Sequence, residues 1–275
     1  MKYLNLGCGH YFSNDRQWTN IDFVSTGEGV IAHNLLQGIP ANDNSFDAVY
    51  HSHVLEHFTK ADGFNFIKEC HRVLKPGGII RIAIPDLERI AKLYLSFLEQ
   101  GMANEADEQL RANYNWMLIE MYDQTVRNQN GGEMANYLFQ KQIINEQFVF
   151  ERIGEEGKAI RNYFVNQPTE ASPKRKSRTL LQLCKAVARR LNPLKKTNEQ
   201  HRIENIGKFR LQGEIHQWMY DRYSLSHLLR SIGFKDFKIT TAFSSSISDW
   251  NKFHLDDKNG ETRKPDSLFV EAVKS

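Results

Sequence analysis

The residues Ile79-Ile80-Arg81-Ile82-Ala83-Ile84 constrain the fold most. A run that is mostly apolar at both odd and even positions suits a strand buried on both faces, as in the centre of a parallel sheet. Upstream, Phe64, Ile67, Cys70 and Leu74, with His71 among them, fall at helical spacing across 60–74. Pro76-Gly77-Gly78 is expected to stop that helix. Residues 3–6, 18–23, 30–32 and 46–50 read as four earlier strands, the last entered through the turn-like Asn42-Asp43-Asn44-Ser45. Strands alternating with helices predict an α/β fold with a doubly wound parallel sheet. Ligands in such sheets sit beyond the carboxyl ends of the strands. Those ends carry the glycine loop at 7–9, Asp22, Asn34, residues 51–53 and Pro85-Asp86.

Composition narrows the class. With 275 residues, 40% of them hydrophobic and 25% charged, the chain is globular. No apolar run approaches the ~20 residues that span a bilayer, and the apolar start is too short for a signal peptide. Cys8, Cys70 and Cys184 are an odd set without metal-ligand spacing, which excludes a disulfide scaffold and fits a reducing cytoplasm. The net charge of +3 is unevenly spread. Residues 171–198 hold nine Lys and Arg and no acid, so the remainder carries −6. An acidic body with one basic segment argues against a whole-surface nucleic-acid binder.

Glycines at 7 and 9 let the backbone pass close to a ligand and leave amides free to contact it. A carboxylate at the second strand's end, Asp22, can accept hydrogen bonds from two ribose hydroxyls. Gly7-Cys8-Gly9 followed by Asp22 thus reads as a nucleoside-cofactor site, the lesser alternative being a tight strand-to-helix turn without ligand. Phe12 stands where a dinucleotide motif needs its third glycine, and the connection to the second strand is short for a crossover helix. Both points disfavour a pyrophosphate on a long helix.

Five segments in order carry a family likeness: Leu4-Asn5-Leu6-Gly7-Cys8-Gly9, Trp18-Thr19-Asn20-Ile21-Asp22, Ser45-Phe46-Asp47-Ala48-Val49-Tyr50, Val54-Leu55-Glu56-His57 and Arg72-Val73-Leu74-Lys75-Pro76-Gly77-Gly78. Together they resemble the Rossmann-like, class I S-adenosylmethionine-dependent methyltransferases, of the type 11 kind and closest to a bacterial branch often linked to polysaccharide biosynthesis. The resemblance covers about 2–100 and resumes at 216–273. It implies a seven-stranded, mostly parallel sheet with a reversed final strand and a helical insertion after the fifth. The methyltransferase domain would then comprise 1–100 and 216–275, and the insertion 101–215. S-adenosylmethionine is the implied cofactor. Gly7, Cys8 and Gly9 would approach its methionine part, Asp22 its ribose, Phe23 and Asn34 its adenine, and His51, Ser52 and His53 would lie beneath the sulfonium. The chain as given starts at its first strand, so another element is expected to cover the cofactor.

Two long helices are predicted in the insertion, over 103–128 and 133–165, split by Asn130-Gly131-Gly132. Their aromatic residues suit a subdomain core, while Tyr122 and Arg127 near the glycine hinge could form a lid edge that meets substrate. In the basic segment, Leu180, Leu183, Cys184, Val187 and Leu191 form an apolar stripe beside Lys185, Arg189 and Arg190. Residues 174–196 could lie on an anionic membrane surface at the inner face, or pack on the protein with their charges solvated.

An activated methyl donor leaves the protein to align the acceptor and exclude water. A hydroxyl acceptor gains from a general base. Candidates are His53, Asp86 and His216, with His10 placed to contact either ligand and His57 read as structural. No metal site is expected, since His51 and His53 lack a third ligand. The leading function is methyl transfer, expected on oxygen, to a small-molecule or saccharide acceptor in the cytoplasm. The alternative is a non-catalytic module of the same fold that acts through its helical insertion. Neither the acceptor's identity nor the oligomeric state is readable from the sequence.

Overall fold

The computed structural model describes residues 1–165 and 197–275. The basic segment expected at a membrane surface lies outside the described residues. Among the described residues nine strands occur: β1 (Tyr3–Leu6), β2 (Trp18–Asp22), β3 (Val30–Ala32), β4 (Phe46–Ser52), β5 (Leu74–Pro85), β6 (Phe234–Thr240), β7 (Asp257–Lys258), β8 (Glu261–Thr262) and β9 (Ser267–Lys274). The helices are α1 (Lys60–Val73), α2 (Leu87–Ala103), α3 (Glu108–Val126), α4 (Gly132–Leu138), α5 (Glu146–Val165), α6 (Asn198–Leu211) and α7 (Arg222–Ile232).

Seven strands form one sheet in the order β3-β2-β1-β4-β5-β9-β6. The first five run parallel, and β9 pairs antiparallel with both β5 and β6. This is the methyltransferase Rossmann-like fold. The expected isoleucine strand sits at its centre, but it begins earlier. Helix α1 stops at Val73 rather than at the Pro-Gly-Gly, and the strand starts at Leu74. Its register against β4 shifts between Phe46–Leu74 and Ala48–Ile79, and Lys75-Pro76-Gly77-Gly78 fall within that shift.

Strand alternation sorts the core into two layers. On one face Leu4, Leu6, Ile21, Val49, Ile80 and Ile82 pack against Phe66, Ile67, Cys70 and Val73 of α1 and Leu225 and Leu229 of α7. On the other face, Tyr3, Trp18, Ala48 and Tyr50 meet Ile247, Trp250, Phe253 and Leu255. No helix joins β1 to β2, and the segment between β6 and β9 covers the sheet in this region. Its rings pack edge to face: Tyr50 and Trp250 are 5.1 Å apart, Trp18 and Phe253 5.3 Å.

Arg81 is the one charged residue of the isoleucine run, and it is fully buried. Its guanidinium reaches Asp256 at 2.7 Å and Glu271 at 2.9 Å, donates to the carbonyls of Thr241 and Ser244, and stacks 4.4 Å from the Trp250 ring. A buried charge survives only when paired this fully. Arg81 is thus the tie that fastens the 241–266 segment to the sheet.

The insertion has its own core of Ile90, Trp116, Met117, Leu138 and Val149, with Leu93, Tyr94 and Phe97 of α2 packed against it. Helix α2 therefore shares the core of the inserted helices. Buried Arg152 of α5 pairs with buried Glu120 of α3, and the Trp116 indole donates to the same carboxylate at 3.0 Å. The single helix expected over 133–165 is interrupted. Helix α4 ends at Leu138 and α5 starts at Glu146, and the Arg161 side chain donates to the carbonyls of Leu138, Gln140 and Lys141 in the gap. A kink follows at Gly154 (φ 62°), where a Cβ would stand 2.7 Å from the Arg263 carbonyl. That close approach brings the insertion against the 241–266 segment.

Candidate active site

The site starts where β1 ends. Gly7 (φ 63°) and Gly9 (φ 54°) turn the chain in left-handed conformations that side chains rarely adopt. A Cβ on Gly7 would stand 2.3 Å from Val54 Cγ2, whereas one on Gly9 would meet nothing within 4 Å. The first glycine therefore serves packing, and the second leaves open space. Asp22 accepts the Gly9 amide at 2.7 Å, and the Thr26 hydroxyl donates to the Gly9 carbonyl. Buried Asn5 donates to the Tyr11 carbonyl at 3.2 Å and to Asn20 Oδ1 at 3.3 Å, which fixes the far side of the loop.

A cavity of about 250 Å³ opens over this loop. Gly7, Cys8, Gly9 and His10 line it from the loop after β1, Tyr50 and Ser52 from β4, and His53 from just past β4. Arg263 and Lys264 close it from the segment before β9, and Glu156 from α5. The Arg263 guanidinium lies 4.2 Å from the Tyr11 ring centre and donates to Ser52 Oγ at 3.1 Å. These residues supply the cover that the sequence left unassigned. Burial pushes the Cys8 thiol up to about 11, so it lines the cavity as a neutral group.

A second cavity, of about 360 Å³, lies between the sheet and the insertion. Gln124, Arg127, Asn130 and Glu214 give it a polar side, Met134, Leu138, Ile153 and Ile160 an apolar one. Three residues, His53, Glu156 and Lys264, line both cavities. Asp266 also faces the second, and burial raises its carboxyl to about 6. Arg127 is held by Glu214 at 3.3 Å and Asp123 at 3.9 Å. Asp123 in turn accepts the Glu133 amide at 2.7 Å at the start of α4, so the glycine hinge is tied to α3.

His53 occupies the junction. It too has a left-handed backbone (φ 54°), which breaks the strand alternation just past β4. Its Nε2 lies 2.8 Å from Ser267 Oγ and its Nδ1 3.2 Å from Glu56 Oε1. Burial, reinforced by Lys264, His216, Arg263 and His57, holds its pKa well below the ordinary histidine value, so the ring is neutral at pH 7. Behind it lies a buried polar cluster that the sequence reading treated only in part. Glu56 is 1% exposed, and burial lifts its carboxyl to about 8. His216 is buried with Nε2 4.0 Å from Glu56 Oε1, and its ring stands edge-on to His57 at 4.9 Å. Burial depresses both rings, His57 to about 4.

Several expected site residues stand elsewhere. His51 was placed under the sulfonium with His53. Strand alternation instead sends it into the α1 layer, fully buried and edge-on to Phe66 at 5.1 Å, and it lines neither cavity. Asp86, expected as a base, accepts the Arg89 amide at 3.1 Å as the N-cap of α2 and also lines neither. Tyr122 is 56% exposed and turned away from the cavity that Arg127 lines. Phe23 is exposed beyond β2, and Asn34 caps a short 3-10 turn by accepting the Leu36 amide at 3.0 Å. The sequence reading did not single out Arg263, Lys264, Glu156 or Ser267; they come from segments that only tertiary packing brings to the site.

Residues 4–82 match the model of a methyltransferase-domain family. No curated protein matches the chain significantly. Among solved structures, a SAM-dependent methyltransferase from Thermotoga maritima is 12% identical over 100% of this chain and 82% of that one, with a TM-score of 0.38. One from Archaeoglobus fulgidus is 13% identical over 99% and 86%, with a TM-score of 0.37. The [4+2]-cyclase SpnF is 24% identical over only 30% of this chain and 38% of its own, with a TM-score of 0.26. Residues 4–82 thus resemble a methyltransferase domain, and the strand order is that of the Rossmann-like methyltransferase fold; the cofactor such a domain would take is S-adenosylmethionine. The residues present fit that group: open space over Gly9, a covered cavity between the glycine loop and β4, and beside it the Asp22 carboxylate, which accepts the Gly9 amide and stands outside the cavity lining. Among the described residues, no helix is long and apolar enough to cross a membrane.

Proposed function

We propose that the protein transfers a methyl group from S-adenosylmethionine to a hydroxyl of a small-molecule or saccharide acceptor. The observation that carries this reading is the meeting of two cavities at His53, Glu156 and Lys264. The cavity over the glycine loop suits the cofactor and the one under the insertion suits the acceptor. When bound, the cofactor supplies a methyl group already activated on a sulfonium. The chain's own residues then bind, orient and exclude water. The Gly9 amide region and Asp22 hold the methionine and ribose ends. Arg127, Gln124 and Lys264 offer donors to a polyhydroxylated acceptor, while Met134, Leu138 and Ile153 dry its other side.

His53 takes the acceptor's proton. Being neutral, it has a lone pair to offer, and the acceptor hydroxyl either displaces Ser267 from Nε2 or passes its proton through Ser267 Oγ. Helices α3, α4 and α5 of the insertion form the lid in this reading. The polysaccharide-linked branch and a cytoplasmic location belong to the same proposal. So does contact of 174–196 with anionic lipid, which co-sedimentation with anionic vesicles at low salt tests: failure to sediment rejects it.

The experiment for the main reading is transfer of labelled methyl from S-adenosylmethionine to a panel of saccharides and hydroxylated small molecules. Saturable transfer that His53→Ala abolishes supports it. A protein that binds the cofactor product yet labels no hydroxyl compound is instead a binding module or acts on another nucleophile.

A further inference from the structure

Glu56, His57 and His216 each place one ligand-type atom within 4.8 Å of the others. From this cluster, we propose a site for one first-row divalent transition-metal ion, Zn²⁺ in the first instance, at the back of the cavity junction. No hydrogen-bond partner among the described residues meets either oxygen of Glu56, nor Nδ1 of His216. His53 Nδ1 and His216 Nε2 approach Glu56 Oε1 only at ion-pair range, 3.2 and 4.0 Å. Buried polar atoms are normally satisfied, and each orphan is destabilising. Here two orphans belong to Glu56 and one to His216, and a cation would serve these two side chains and His57 at once.

The surroundings orient the ligands as metal sites require. His57 Nδ1 lies 3.1 Å from the Ile215 carbonyl, which can only accept, so Nδ1 donates and Nε2 is the ring nitrogen that would face a metal. Outer hydrogen bonds of this kind fix the tautomer of metal-bound histidines. The backbone is equally fixed. The amides of Gln217 and Trp218 donate to the Glu56 carbonyl at 2.7 and 3.2 Å, the His216 amide to the Gln124 carbonyl at 2.8 Å, and the Gln217 side chain to the His57 carbonyl at 2.9 Å. Residues 56–57 and 215–218, far apart in sequence, are thus clasped around the cluster. Two imidazoles and one carboxylate, with a further position open, are a donor set that suits Zn²⁺, Co²⁺ or Mn²⁺ rather than Mg²⁺ or Ca²⁺. Metal bonds of about 2.0–2.2 Å place tetrahedral ligands roughly 3.3–3.6 Å apart, so the side chains must draw in by about 1 Å.

The sequence concealed the site because His216 lies far along the chain from Val54-Leu55-Glu56-His57, and His51 and His53 gave no third ligand. Its role rests on the reading above: an ion held there would fix the Glu56 carboxylate that His53 Nδ1 faces at 3.2 Å, and so position the His53 ring at the junction. Binding itself needs no acceptor, so it is measured separately.

The test is titration of the chelator-treated full chain with Zn²⁺ against a chromophoric competitor, and with Co²⁺ by visible absorption. The expected result is one ion per chain, d–d bands of four- or five-coordinate Co²⁺, and a roughly 10–100-fold weaker affinity in Glu56→Gln and His216→Asn. Because those positions are buried, His57→Gln at the half-buried ligand provides a second variant, and retained S-adenosylhomocysteine binding shows that each variant is folded. Unchanged affinity in all three folded variants, or no stoichiometric binding by the wild type, overturns the site. A Co²⁺ spectrum dominated by thiolate charge transfer also overturns it, since the ion would then lie on cysteine. Metal binding without methyl transfer would leave the site standing and reject only its assigned role.

Discussion

Gly7 and Gly9 share a conformation but not a surrounding, and substituting each by alanine separates packing from ligand contact. A left-handed backbone costs an alanine about 1–2 kcal/mol. At Gly9 that is the whole cost to stability, because the new methyl meets nothing within 4 Å. At Gly7 the methyl stands 2.3 Å from Val54 Cγ2. Overpacking of that kind adds about 1–3 kcal/mol, so Gly7→Ala should cost about 2–5 kcal/mol. With about 2–3 °C per kcal/mol for a chain of this size, Tm falls by about 5–15 °C in Gly7→Ala and about 2–6 °C in Gly9→Ala. Val54→Ala in the same chain should restore part of the Gly7→Ala loss, because it removes the atom struck. Cofactor binding should order the variants oppositely. The Gly9 methyl fills space assigned to the ligand, so S-adenosylhomocysteine affinity should fall about tenfold or more, whereas folded Gly7→Ala/Val54→Ala keeps most of it. Chemical denaturation and calorimetric titration read the two effects. Equal Tm losses would refute the packing argument, and wild-type affinity in Gly9→Ala would refute the assignment of the loop to the cofactor.

Other consequences follow from named residues. His53→Ala should lower kcat about 10²–10⁴-fold with little change in cofactor affinity, once an acceptor is in hand; an unchanged kcat removes His53 as the base. Arg81→Leu leaves Asp256 and Glu271 buried without their partner and should cost about 3–5 kcal/mol in denaturant unfolding; a loss below 1 kcal/mol would show that the 241–266 segment is held by its aromatic residues alone. Glu56 gives a pH test in metal-free protein. Its folded pKa is raised to about 8 from an ordinary 4.5, so the folded state retains a proton that the unfolded chain has lost. The stability it contributes is therefore lost as pH rises across that interval. The depressed histidines act oppositely near pH 6.5, where the unfolded chain's imidazoles are half charged, so the Glu56 contribution, about 2 kcal/mol between pH 6.5 and 8, is read as the difference between wild type and Glu56→Gln. The variant should gain stability relative to wild type as pH rises, and equal pH profiles in both proteins would reject the assignment.

The strand ends were legible because local pattern determines them. The isoleucine run, the glycines after β1 and the turn before β4 each carry their own signal, and α7 shows its Asp221–Ser224 capping box and the terminal Gly233. What the sequence hid depends on contacts between distant residues. The interruption between α4 and α5 is stabilised by Arg161 reaching back to three carbonyls, and Gly154 kinks α5 only because the 263–265 backbone lies against it. His51 and His53 share parity, so simple alternation puts them on one face; the left-handed turn at His53 is what separates them. Arg263 and Lys264 carry no local mark of a site. They reach it because Arg81 and the aromatic cluster pin their segment over the sheet, and the cofactor's cover therefore could not be assigned beforehand.

The central claim is that the cavity over the glycine loop holds S-adenosylmethionine, with Asp22 on the ribose. Calorimetric titration of the wild type and Asp22→Ala with S-adenosylhomocysteine, with NADH as the control ligand, tests it most directly. The account predicts saturable binding at one site, lost or weakened at least tenfold in a folded Asp22→Ala, and no binding of NADH. Equal affinity in both proteins, or preference for NADH, would contradict it.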